Sequence, residues 1–208
     1  MPTLLGSEEH SRLARDMLKS AATIEIVNVD NLRPGRRATV MVKVSNVGAG
    51  HKLPTGFPEG REMWVDFKVT DAKDRMVYRL GAVQDGVTEP RTKTFKVTMA
   101  DAKGNVVNDD VTKVARILHD SRILPKSYSE VEYTFDVPNS VEGALTLCAD
   151  LNYWSYSQRL ADELLGKNKL QVPIEQIATV KMLVPGGSPV QGTKAAAPQI
   201  KPTFLGTR

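Results

Sequence analysis

One cysteine, three histidines and 6% aromatic residues in 208 positions leave little material for several kinds of chemistry. The lone cysteine, Cys148, makes no intrachain disulfide and no Cys-rich zinc site. Ala149 and Asp150 follow it, so the C-x-x-C-H pattern of covalent haem attachment is absent. No apolar run approaches the ~20 residues that a membrane span needs. Nor is there a long block of like charge: 28 basic and 24 acidic residues are interspersed, with a net charge of +4. A nucleic-acid interface, which needs a concentrated basic stripe with aromatic platforms, is therefore not expected. The catalytic templates G-x-S-x-G, G-x-x-x-x-G-K-[ST], H-E-x-x-H and G-x-G-x-x-G are missing as well. The start, Met1-Pro2-Thr3-Leu4-Leu5-Gly6, has neither a basic nor an apolar signal region, so it is not read as a signal peptide. A cytoplasmic chain and a chain with its leader removed both remain open.

What is present is a globular composition, 41% hydrophobic and 25% charged, of a size for one domain with an appendage. Ser7 to Ala22 reads as a helix, with Ser7 as N-cap and Glu8 and Glu9 in the first turn, where negative charge suits the dipole. Leu13, Ala14, Met17, Leu18 and Ala21 give it an apolar face that must pack on something. The pattern then changes to period two. Ile24 and Ile26 alternate with polar neighbours; so do Val40, Val42 and Val44, then Met63, Val65, Phe67 and Val69, then Val131, Tyr133, Phe135 and Val137. Segments 94–99, 111–118, 144–152 and 174–183 are further strand candidates. Asn31 to Gly35 and Asp101 to Asn105 read as turns.

About seven or eight short strands with no helix between them argue against parallel βαβ units. They favour an immunoglobulin-like antiparallel β-sandwich. A short helix is expected near 157–165, with Gly166 as its C-cap. The expected organisation is a docking helix over 1–22, a sandwich over 23–184 and an extended Pro/Gly/Ala-rich tail over 185–208. That tail is expected to be ordered only by a partner.

Three segments could carry chemistry. The loop from Gly48 to Pro58 holds three glycines, two prolines and His51 between two alternating strands. Glycines permit close backbone approach and prolines fix the path, so an imidazole there could serve as a metal ligand or a hydrogen-bonding anchor. The plainer reading is a structural loop with an incidental histidine. The second segment, Leu118-His119-Asp120-Ser121-Arg122-Ile123, could form a charged site, or simply a strand-end turn held by an Asp–Arg pair. The third, Asn152 to Ser157, could be an aromatic platform, though buried aromatics usually belong to a core. His10 is expected to be exposed on the helix, the Asp109-Asp110 carboxylates to be solvated, and Cys148 to be a small buried hydrophobe rather than a nucleophile.

The stretch Asn46-Val47-Gly48-Ala49-Gly50-His51-Lys52-Leu53-Pro54-Thr55-Gly56 resembles the G-H-x-x-P-T-G element that follows the haem-binding part of many bacterial multihaem c-type cytochromes. Trp64 to Ala72 looks like the strand accompanying it there. Leu118 to Ile123, with Pro125, is similar to the H-D-[ST]-R-I-x-P element of the same region, and Leu151-Asn152-Tyr153-Trp154 also fits. The resemblance covers roughly residues 7 to 183. It implies the non-haem C-terminal β-domain of such a cytochrome standing as a separate chain. Haem c would then come from a partner, a multihaem cytochrome within a protein complex or filament, in a periplasmic or extracellular setting. His51 is the implied axial ligand to, or cap on, a partner's haem, with Gly50, Pro54, Thr55 and Gly56 shaping its loop. His119 and His10 rank behind it. The implied role is a non-catalytic accessory subunit. A haem-independent binding or adhesion module is the alternative. A metal enzyme built on His51 or His119 is poorly served by three scattered histidines.

Overall fold

The computed structural model describes residues 6–57, 60–107 and 110–185. Helix α1 (Glu8–Ala21) runs directly into β1 (Ala22–Asp30), which returns as β2 (Arg37–Asn46). The hairpin β3 (Glu62–Thr70) and β4 (Met76–Leu80) follows. Short ladders come next: β5 (Val83–Gln84), β6 (Val87–Thr88), β7 (Thr94–Phe95), β8 (Val97–Ala100) and β9 (Val106–Val107). The chain then builds β10 (Arg116–Asp120), β11 (Tyr128–Asp136), β12 (Leu145–Trp154), α2 (Gln158–Leu165) and β13 (Glu175–Val184). Two antiparallel sheets carry the fold, ordered β1-β2-β11 and β13-β12-β3-β4, with β7 attached to β3. Small sheets β10-β8-β9 and β5-β6 flank them.

Period-two alternation produces this sandwich because successive side chains of a strand point to opposite faces. Val40, Val42 and Val44 of β2 and Val131, Tyr133 and Phe135 of β11 turn inward. They meet Met63, Val65, Phe67 and Val69 of β3 and Leu145, Leu147, Ala149 and Leu151 of β12. Phe67 stacks on Tyr133 and Tyr78 on Phe135, each pair with ring centroids 4.4 Å apart. Burying each such side chain contributes about 1.5–3 kcal/mol. Outside the main core, Trp64 and Trp154 meet at 4.8 Å beneath α2, against Ala161 and Val172.

The expected mainly β sandwich with an N-terminal helix is therefore the observed one. Its last strand and second helix fall within a residue or two of the expected limits. Ser157 caps α2 by accepting from the Leu160 N–H at 3.1 Å, and Gly166 ends it at φ 95°. Several expectations need correction. Ser7 takes the N-cap place of α1, but its hydroxyl makes no cap; it bonds His10 Nδ1 at 2.5 Å instead, because the imidazole competes for it. The apolar face of α1 is only partly covered. Leu18 and Ala21 pack on the core, while Leu13 and Met17 are 50% and 65% exposed. Residues 111–118 are not one strand: Val111–Lys113 forms a single 3-10 turn, and the strand begins at Arg116. Cys148 is not a core residue. It stands on the outward phase of β12 with Thr146 and Asp150, half-buried, its Sγ 3.7 Å from Asp150 Oδ1. The tail from residue 186 onward and Asp109 lie outside the described residues; Asp110 is paired with Lys113 at 2.8 Å.

Candidate functional site

The loop that follows β2 is built by three anchors. At its start, the Val47 and Gly48 N–H groups both donate to Ala21 O at 3.1 Å, which terminates α1. This contact requires glycine at 48, since a Cβ there would lie 2.0 Å from Ser20 O. At its far end Leu53 forms a two-way bridge to Ile123, with both N–H···O distances 2.9 Å. Between them sits Asn46, 1% exposed. Its Nδ2 donates to His51 O at 2.8 Å and to Ile123 O at 3.1 Å, and its Oδ1 accepts from the Ala49 N–H at 3.1 Å.

These bonds bring together the two sequence elements that carry the resemblance. Lys52, next to His51, reaches Asp120 at 2.8 Å. Asp120 in turn receives a fork from Arg122: Nε to Oδ1 at 2.8 Å and the terminal nitrogen to Oδ2 at 2.8 Å. The Arg122 guanidinium first, and Lys52 after it, hold the Asp120 carboxyl well below the usual carboxylate range against the opposing effect of burial. The 119–125 segment is thus the strand-end turn with an Asp–Arg pair, and it serves as the far wall of the histidine loop.

His51 itself is exposed. Its Nδ1 lies 3.1 Å from Lys52 O. A carbonyl oxygen only accepts, so Nδ1 carries a proton, and in the neutral ring this leaves the lone pair on Nε2. A histidine oriented through one ring nitrogen by a backbone carbonyl presents the other as a ligand. Gly50, beside it, has nothing within 4 Å of where a Cβ would stand, so this chain's own packing does not require glycine there. A groove of about 370 Å³ opens next to the ring, lined by Met17 and Leu18 of α1, by Ala49 and Thr55 of the loop, and by Arg61.

The other loop residues divide by role. Pro54 is buried and follows a cis peptide bond from Leu53; it shapes the foot of the loop, and its side chain offers no ligating atom. Thr55 is half-buried, and its carbonyl accepts from the Arg61 guanidinium. Gly56 adopts φ 93°, with the Arg61 head group packed where a side chain would project. His10 stays at the start of α1 on Ser7. His119 is exposed on β10 opposite Thr98. Among the described residues no group of three or more His, Cys, Asp or Glu side chains could hold a metal ion. At the groove, His51 can offer one imidazole nitrogen to a metal centre or a hydrogen-bond donor, and Arg61 can offer a guanidinium.

Sequence reasoning passed over Asn46 and Arg61. The signal for Asn46 was an asparagine on the inward phase of a valine-rich strand, where a buried amide needs partners. The aromatic segment 152–157 is not a platform: Tyr153 and Trp154 are 8% and 3% exposed, in the core and the tryptophan cluster.

No family model matches the chain, and no curated protein matches it. Among solved structures it is similar to a penta-haem cytochrome c552 from Thermochromatium tepidum, with TM-score 0.63 and 19% sequence identity. The match covers 82% of this chain and 41% of that one, so the chain spans less than half the length of the cytochrome. The likeness is one of fold: a β-sandwich with an N-terminal helix, of a kind also found within a multihaem cytochrome.

Proposed function

We propose that this chain is a non-catalytic accessory subunit of a multihaem cytochrome electron-transfer assembly, in which His51 ligates or caps a haem held by a partner chain. The observation that carries the reading is the posture of His51, exposed on a clamped loop with Nδ1 committed to Lys52 O and Nε2 free. Neutral imidazole is an ordinary axial ligand, and a second axial histidine leaves an electron-transfer haem with no open position. The open space at Gly50 and the apolar side chains of Met17, Leu18 and Ala49 suit the edge of a macrocycle, and Arg61 suits an anionic group at its rim. The fold likeness to a penta-haem cytochrome agrees with this. An extracytoplasmic setting goes with the reading. Among the described residues no helix is long and apolar enough to cross a membrane.

When bound, the haem supplies the one-electron chemistry. This chain supplies the imidazole, holds its tautomer through Lys52 and fixes its position through Asn46. The test is to purify the tagged chain from its native host and record the visible spectrum of the complex. The expected result is a stoichiometric c-type haem protein whose spectrum loses one low-spin haem in the His51→Ala variant. A spectrum unchanged in that variant rejects the ligand role. A stoichiometric partner without haem establishes the binding-module alternative.

A further inference from the structure

A second recess lies away from His51, along the free edge of β11. It measures about 450 Å³ and runs beside Glu130–Tyr133, facing Arg91, Lys93 and Lys96 on the opposite wall. Strand β11 pairs only with β2 among the described residues. The bonds Asn46 N–H to Ser127 O and Val137 N–H to Arg36 O, both 2.9 Å, fix the phase of that ladder. Odd-numbered residues of β11 turn their backbone groups to β2. The even-numbered ones, Glu130 and Glu132, therefore present N–H and C=O outward into the recess. An exposed edge of this kind is a template for another strand.

Other observations point to an occupant. The Tyr133 hydroxyl, on a residue 2% exposed that lines the recess, has no hydrogen-bond partner, and neither has the buried Thr92 hydroxyl on the facing wall. Arg91 holds φ 72°, an uncommon conformation for a side-chain-bearing residue. Lys96 is paired with Glu62 at 3.1 Å, whereas Arg91 and Lys93 stand in no ion pair among the described residues. The charge is thus divided by face. An incoming strand would meet cations on its inner side and the Glu130 and Glu132 carboxylates on its outer side. A second copy of β11 fits poorly, because in the fully overlapped antiparallel register Glu132 would face its own copy and Glu130 would lie diagonal to it.

We propose that this edge takes up, as an added strand, an extended segment of a partner polypeptide. Its side chains alternate, acidic toward Arg91 and Lys93 and basic beside Glu130 and Glu132. The backbone supplies affinity and the alternation supplies register, since a one-residue slip would reverse every charge contact. The inference does not depend on the haem reading.

The test uses the full chain, isotopically labelled, with three synthetic peptides matching the length of β11, 9 residues. One alternates glutamate and lysine, one has the same composition in two blocks, and one alternates with a central proline, which removes a ladder donor. The expected result is hydrogen-exchange protection of the Glu130 and Glu132 amides by the alternating peptide alone, bound about tenfold or more tighter than the others. Arg91→Glu with Lys93→Glu abolishes that preference without moving the melting temperature. Absent protection at millimolar peptide, equal binding of the block peptide, or an unchanged preference in the double variant overturns the proposal. So does protection of the same amides by self-association at high protein concentration.

Discussion

Replacing Asn46 with alanine tests whether the histidine loop is held as described. The change removes an amide making three hydrogen bonds, two donated and one accepted, at a position 1% exposed. It strands His51 O, Ile123 O and the Ala49 N–H in a place where water replaces the amide poorly. At about 1 kcal/mol for each bond, the loss comes to about 3 kcal/mol. For a chain of this size each kcal/mol moves the melting temperature by about 2–4 °C, so a fall of about 6–12 °C is expected. Urea unfolding followed by far-UV circular dichroism gives the free energy, and the slope with denaturant shows whether the unfolded reference has changed. Asn46→Asp is the companion variant. It keeps the acceptor for Ala49 but sets a carboxylate against two carbonyls, and is expected to be at least as damaging at neutral pH. A fall of less than about 2 °C in Asn46→Ala, with an unchanged slope, would refute the claim that this amide organises the loop.

Four further outcomes are expected. The Asp120 carboxyl is depressed by Arg122 and Lys52, so its stabilising effect is complete above the unfolded value of about 4 and drains away as pH falls toward the folded one; acid titration of stability should show a shallower loss in Asp120→Asn than in the parent. Gly48→Ala collides with the backbone of Ser20 and lowers the melting temperature, whereas Gly50→Ala meets nothing and leaves it within about 1 °C; if Gly50→Ala also leaves complex formation intact, the close approach of a partner at that residue is wrong. Tyr133→Phe removes a buried hydroxyl without a partner and is expected to stabilise the isolated chain by about 1 kcal/mol, with loss of stability the contrary result. The Cys148 thiol is pushed up by burial, and then by the Asp150 charge, so it reacts with a disulfide reagent at neutral pH more slowly than free cysteine; Asp150→Asn speeds it.

The main strands were legible because one face of each is buried, and a buried face imposes period two on the sequence. Val40, Val42 and Val44 and their counterparts in β3 and β11 declare themselves in this way. The two-residue ladder of β5 and β6 was not legible, whereas Thr94–Phe95 of β7 falls inside the expected strand 94–99. Four residues shared between β5 and β6 carry no period, and they exist only because the longer sheets place them side by side. Cys148 shows where phase, rather than composition, settles a residue: Leu145, Leu147, Ala149 and Leu151 take the inward positions, which leaves Thr146, Cys148 and Asp150 outward. The motifs around His51 and Asp120 could be seen separately. Their meeting could not, because Lys52 and Asp120 are 68 positions apart and Asn46 and Ile123 are 77 apart. Nothing local in a sequence encodes a bond across such a distance.

The double clamp on the histidine loop has a thermodynamic consequence. Between Gly48, tied to Ala21 O, and Leu53, tied to Ile123, only residues 49–52 remain unbridged by backbone, and Asn46 holds two of these. Fixing the backbone of one residue costs about 1–2 kcal/mol of conformational entropy, so a free loop of this length would surrender about 4–8 kcal/mol on docking. Here that ordering is completed when the chain folds. A partner docking there would meet the loop preorganised, and a contact area too small to order a flexible segment would be enough to hold it.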